Sequence, residues 1–147
     1  VKKWLIGQQP NRNVPSEALS ADDPIWAGAR LAKLSGMTPE EYHKHFERRN
    51  VNYLMEAQFK ADRLAKIRAY NLSKKFESGD IVIFMGRTVC DCFGLNSDRL
   101  FQFYETNSGW LYATIHHPSN RNRWWNIEEN VEFAREFMAS VVAYDNA

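Results

Sequence analysis

Apolar residues gather in three short runs: "KKWLIG" at residues 2–7, "DIVIFMG" at 80–86 and "LYATIHH" at 111–117. Each is shorter than an ordinary helix and stops at a glycine or a polar turn, which predicts three β-strands. A weaker fourth run, "NVNYLM" at 50–55, carries Asn52 within or near the end of its strand. Between these runs the pattern turns helical. Asp23-Pro24 sets an N-cap aspartate and a first-position proline ahead of a segment that closes at Gly36. Thr38-Pro39-Glu40-Glu41 reads as a capping box for a helix reaching about Arg48. Residues 58–76 supply a third helix. Asn126 with Glu129 caps a last one, whose apolar face is Ile127, Val131, Ala134, Met138 and Val141.

Strands that alternate with helices, two of them apolar throughout rather than every second residue, predict an α/β fold. The expected form is a single three-layer domain, with a mostly parallel sheet of about four strands covered by helices on both faces. In such sheets ligands bind beyond the carboxyl ends of the strands. That rule directs attention to residues 7–13, 86–89 and 117–125, and to Asn52.

Composition changes this picture little. A chain of 147 residues, 44% hydrophobic and 25% charged, suits one globular domain. It has no apolar run near 18 residues, so no membrane partner is expected. No basic and then apolar leader opens the sequence, and Cys90 and Cys92 lack the further thiols or clustered histidines of a zinc set. An intracellular protein with reduced cysteines, no metal and no cofactor is the expectation. The net charge of +1 conceals an uneven distribution: residues 58–76 carry Lys60, Arg63, Lys66, Arg68, Lys74 and Lys75 against Asp62 alone. Such a run is either a solvated helix face or a surface turned toward phosphates.

The chemistry concentrates in two post-strand loops. After the first strand come Gly7, Gln8, Gln9, Pro10 and Asn11: a glycine that permits close approach, carboxamides that donate and accept, and a rigid turn. After the last comes "HPSNRNRWW", in which His117 is placed to donate to an oxygen that gains charge during a reaction. The alternatives are an exposed turn and a packing histidine. Both loops belong on one edge of the sheet, which favours the chemical reading.

The pairing of "GQQPN" with a later "HPS" is similar to the two signature motifs of the uracil-DNA glycosylase superfamily. So is the order of the strands between them, one with Asn52 and then "IVIFMG" ending in glycine. The resemblance covers most of the chain and suggests a small, phage-type member. It implies an enzyme that hydrolyses the N-glycosidic bond of uracil or another modified base flipped out of DNA, duplex or single-stranded. Gln8 and Gln9 would position water, with Gly7, Pro10, Asn11 and Asn52 around the base. His117 would stabilise the departing base. Ser119, Asn120, Arg121, Arg123, Trp124 and Trp125 would contact DNA, the arginines at phosphates and an indole in the space the base vacates. One or both tryptophans would otherwise anchor the last helix.

Residues 7–16 contain no carboxylate, and the nearest acids are Glu17, Asp22 and Asp23. An amide orients water but does not accept its proton as an anion does. A DNA-binding module with the same pocket and no chemistry is therefore the second reading. An enzyme modifying a nucleotide or base in that pocket is the third.

Overall fold

The computed structural model describes residues 1–8, 18–24, 26–52, 59–119 and 121–145. Five strands form one sheet: β1 (Lys3–Gly7), β2 (Glu47–Asn50), β3 (Ile81–Met85), β4 (Tyr104–Glu105) and β5 (Leu111–Ile115). Their order is β2-β1-β3-β5-β4, parallel except for β4, which runs antiparallel on the outer edge of β5. The fold is thus α/β with a mostly parallel sheet, and it has one strand more than the apolar runs predict. β4 escapes a pattern search because it is two residues long and pairs only Tyr104 with Tyr112 and Glu105 with Leu111.

Alternate strand residues feed opposite layers, as the period of two requires. Leu5, Ile81, Ile83, Met85, Ala113 and Ile115 pack under α1 (Ala27–Leu34), α2 (Pro39–His45) and α5 (Glu128–Ala143). Trp4, Ile6, Val82, Phe84 and Tyr112 face α3 (Arg63–Ser73) and α4 (Arg87–Cys92). All five residues of β3 are buried, which explains why its sequence shows no polar alternation.

Several boundaries differ from expectation. The fourth strand is Glu47–Asn50, one step ahead of the apolar run; residues 53–58 lie outside the described residues. Its "ERRN" is polar because β2 is an edge strand, half-buried at every position, and its order comes from pairing with β1 and from the buried flanks Phe46 and Val51. The helix before it ends at His45, where Phe46 turns extended. The Thr38 capping box forms as expected, with Glu41 N–H on Thr38 Oγ1 at 3.2 Å and Thr38 N–H on Glu41 Oε1 at 3.0 Å.

Helix α1 starts at Ala27, not at Pro24, because the Asp23 carbonyl closes a turn onto Trp26 N–H at 3.0 Å. Gly28 then lies against the backbone of 19–20, where a Cβ would stand 2.1 Å from the Leu19 carbonyl oxygen. The basic helix is shorter than 58–76, since Asp62 caps it through Ala65 N–H at 2.9 Å. Asn126 ends a 3-10 turn (Arg123–Asn126) instead of capping α5, which begins after Ile127 with no side-chain cap. The buried face of α5 is Ala134, Phe137, Met138 and Val141, while Ile127 is 54% exposed. No helix among the described residues is long and apolar enough to cross a membrane.

Candidate functional site

Because β1, β2, β3 and β5 run parallel, the residues that follow them meet at one edge of the sheet. Past the strand ends, β1 and β2 remain joined: Val51 N–H donates to the Gly7 carbonyl at 3.1 Å and Asn52 N–H to the Gln8 carbonyl at 2.9 Å. On the other side, Gly86 N–H donates to the Ile115 carbonyl at 2.9 Å and so holds the chain leaving β3 beside the chain leaving β5. Between them lies a cavity of about 240 Å³, whose described lining includes Gln8, Gly86, Arg87, His116, His117 and Asn122. That volume is below the roughly 300–1,000 Å³ of drug-sized sites and suits a small ligand or one ring system.

His117 is held from three directions. Its carbonyl oxygen accepts the Trp125 indole N–H at 2.8 Å and the Asn122 amide at 3.3 Å. Its ring Nδ1 accepts the backbone N–H of Ser119 at 3.2 Å. An Nδ1 that accepts carries no proton, so the neutral ring bears its hydrogen on Nε2, which forms no hydrogen bond among the described residues. Burial pushes the His117 pKa below its ordinary value of 6.5, and the ring is neutral at pH 7. The result is an oriented, uncharged N–H donor on a cavity wall.

Gly86 answers a backbone requirement at the β3 exit. Its φ of +98° with ψ of 157° is glycine territory, and a Cβ there would stand 3.5 Å from His117 Cβ. Gly7 plays a different part from the expected close approach to a ligand. A Cβ at Gly7 would stand 2.6 Å from Asn50 Oδ1 and 3.2 Å from Leu19 Cγ, so its missing side chain accommodates the protein's own.

The other expected site residues divide. Gln8 and His117 share the cavity. Asn52 is buried and tied to Gln8 through the backbone, yet it is not among the described lining residues. Its Oδ1 accepts Arg68 Nη1 at 2.8 Å, which fixes the orientation of the amide. Ser119 positions His117 through its backbone. Arg121 and Arg123 are exposed on the turn that follows. Gln9, Pro10, Asn11 and Asn120 lie outside the described residues.

The tryptophan pair separates into two functions. Trp125 is 4% exposed in the core under α1 and α5, with Arg30 over its ring at 5.1 Å. It is a packing anchor and the clamp on His117, not a side chain that enters a duplex. Trp124 is half-buried, near-parallel to His116 at 4.4 Å and to Phe101 at 5.1 Å. Phe101 reaches this cluster from a left-handed backbone position, φ 58°, fixed by its N–H on the Thr114 carbonyl at 2.8 Å.

Sequence reasoning missed His116 as a lining residue, and it reached Arg87 and Asn122 only as members of the 86–89 and 117–125 windows, without a part for either. The doubled histidine of "HHPS" is the signal for the first, which leaves the same strand end one residue ahead of His117. Arg87 and Asn122 have no motif to mark them. Of the nearest acids, Asp22 is 65% exposed beside His43 Nδ1 at 3.9 Å and Glu17 lies outside the described residues; no Asp or Glu is found among the described lining residues.

Larger hollows of about 480 and 320 Å³ run along α3, but the first is walled by the helix's own Arg63, Lys66, Ile67 and Tyr70 and gathers no convergent set of polar groups. Among the described residues no cluster of His, Cys, Asp or Glu is arranged to hold a metal. Cys90 and Cys92 are buried free thiols, each pushed up to about 11 by burial first. No family model, curated protein or solved structure matches this chain.

Proposed function

We propose that the chain is a uracil-DNA glycosylase-like enzyme that hydrolyses the N-glycosidic bond of uracil or a modified base held outside the DNA stack. The observation that carries this reading is the neutral His117 ring, whose Nε2–H is left to a ligand in a cavity shared with Gln8. As the bond from C1′ to the base nitrogen breaks, its electron pair moves onto the base. A donor already oriented at a base oxygen stabilises that charge without reorganisation. Water adds its oxygen to C1′ and releases a proton to solvent. Gln8 orients the water and Asn52 offers its NH₂ to the base edge.

With no carboxylate among the described lining residues, no anion takes the water's proton at the moment of attack. Leaving-group stabilisation therefore carries most of the rate, and the favoured substrates are bases that depart readily as anions. The same observation supports a second reading, a module that binds an extrahelical base without cleaving it. One experiment separates the two. The protein is incubated with single-stranded and duplex oligonucleotides carrying a panel of modified bases, then heated in alkali. Strand scission at one modified base, absent with His117→Ala, supports the enzyme. Tight binding to the same oligonucleotides without scission supports the module, and neither binding nor scission removes both.

A further inference from the structure

One group on the cavity wall has no part in that chemistry. Arg87 opens α4 directly after Gly86, and its Nε donates to the Ser97 carbonyl at 2.9 Å while Nη2 leans on the Asp98 carbonyl at 3.4 Å. A guanidinium has five N–H donors, so three remain. No carboxylate among the described residues pairs with it. Beside it on the same wall, His116 is steadied by the Trp124 indole stacked at 4.4 Å. The exposed guanidinium is thus tied at two atoms, shares the cavity lining with two imidazoles, and has no carboxylate partner among the described residues, in a cavity whose described lining holds no acid. Such a wall repels cations, and its planar fork fits an oxyanion.

We propose that Arg87 and His116 form a phosphate subsite beside the base cavity, which takes a phosphate oxyanion attached to the nucleoside whose base meets His117. The geometry needs only one phosphate; that it belongs to a DNA strand and not to a free nucleotide rests on the reading given above. The guanidinium supplies the charge and the fork. His116 supplies one N–H, its ring plane fixed by Trp124. Arg121 and Arg123, exposed on the neighbouring turn, belong to the strand further on and not to this subsite.

The test uses the full chain, labelled at histidine, and inorganic phosphate as the probe. Phosphate shifts the His116 ring resonances saturably, and Arg87→Gln weakens that binding about tenfold or more, as loss of a charge-assisted contact does. Because Arg87 also ties down 97–98, Arg87→Lys is the second variant. It gives up the carbonyl contacts and the fork and keeps the charge, so its phosphate affinity falls between those of the wild type and Arg87→Gln. Absence of a saturable shift in the wild type, phosphate binding in Arg87→Gln equal to wild type, or Arg87→Lys behaving as Arg87→Gln each overturns the subsite.

Two competitors identify the source of the phosphate. An oligodeoxynucleotide that displaces inorganic phosphate, and whose salt dependence falls by about one counterion in Arg87→Gln, assigns the subsite to the phosphodiester. A deoxynucleoside monophosphate that displaces phosphate where the oligonucleotide does not assigns it to a free nucleotide. That second result keeps the subsite and removes the DNA reading.

Discussion

The two edges of the sheet are built to opposite rules. At the amino edge, Asp80 sits just before β3 and is 3% exposed. Its Oδ1 accepts Lys2 N–H at 3.0 Å, and its Oδ2 accepts the Trp4 indole at 3.1 Å and Glu77 N–H at 3.0 Å. Next to it Gly79 N–H reaches the Gly109 carbonyl at 2.9 Å, which closes the turns of two strands on each other. At the carboxyl edge the backbone is tied as firmly, but side-chain capacity is left over. His117 and Arg87 line the cavity, the His117 Nε2–H and three Arg87 N–H groups make no hydrogen bond among the described residues, and Asn50 Oδ1 is buried with no partner among them. A closed polar network adds stability, whereas donors and acceptors left without partners lower it, and the proposed function gives those at the cavity a ligand. The amino edge therefore reads as structure and the carboxyl edge as function.

Substitutions at the two edges put that contrast at risk, and the largest effect is expected at His117. His117→Ala lowers single-turnover cleavage of an active substrate by about a hundred- to a thousandfold, the usual loss for one oriented donor. Its unfolding midpoint stays near that of the wild type, because Trp125 and Asn122 hold the backbone carbonyl of residue 117 and not the ring. A folded His117→Ala with full activity would take the residue out of the mechanism. Asp80→Ala reverses the pattern. It strands the buried Trp4 indole and two backbone donors, with a loss of roughly 3 kcal/mol in denaturant unfolding. Activity per folded molecule is unchanged, and a catalytic defect there would blur the distinction between the edges.

Gly86 joins the two rules, since it is a backbone requirement at the functional edge. Gly86→Ala forces a Cβ into φ +98° and is expected to lower stability by about 1–3 kcal/mol. The added methyl meets His117 Cβ at 3.5 Å, an ordinary contact, so a fall in activity follows from the altered backbone at the β3 exit. Equal stability in thermal unfolding would show that the β3 exit is more compliant than its angles imply.

What the sequence disclosed follows from the same physics. The β1, β3 and β5 runs, the capping box at Thr38 and the position of His117 are legible because burial and capping leave local patterns. β2 and β4 are not, since polar edge strands draw their order from a neighbour rather than from their own residues. The loops at residues 7–8 and 117–119 are placed at one edge as the strand order of a parallel sheet dictates. The roles within "NRNRWW" are hidden for another reason: Trp124 and Trp125 are adjacent and identical, and only tertiary packing sends one under α5 and stacks the other on His116. Arg87 falls within the 86–89 window, but nothing local marks a cation as lacking a carboxylate partner.

Acid provides a gentler probe of the functional edge. Burial lowers the pKa of His117, and burial followed by the charge of Arg87 lowers that of His116. A histidine whose folded pKa is depressed binds its proton more readily when unfolded. Its neutral form therefore contributes stability that is fully present above about pH 6.5 and is lost as pH falls through the folded value. Denaturation midpoints should drop between about pH 7.5 and about pH 5, and less so in His117→Gln. His45 is depressed as well, by burial and then by Lys3, so part of the slope survives that substitution. Identical slopes in wild type and His117→Gln would mean that the ring is not held neutral by burial. In a cleavage assay the same protonation places a second hydrogen on Nδ1, opposes the Ser119 contact, and lowers the rate on the acid side.

The smallest effects belong to the two arginines of the turn beyond the cavity. Arg121 and Arg123 are exposed and stand outside the clamp that fixes His117, so Arg121→Ala and Arg123→Ala leave folding and the cleavage step alone. If each neutralises one phosphate, each substitution reduces the salt dependence of oligonucleotide affinity by about one counterion, uniformly across sequences. Trp124→Ala differs from both, since it uncovers His116 and Phe101 and acts on stability as well as affinity. Trp125→Ala acts on stability first, by about 3–5 kcal/mol as for other buried large aromatics, and frees the His117 carbonyl. Affinity measured over a range of salt for the two arginine variants decides the matter. Unchanged slopes in both, with folding intact, confine any DNA contact to the cavity and its Arg87 wall. A loss of slope in one alone would give the direction in which the strand leaves the site.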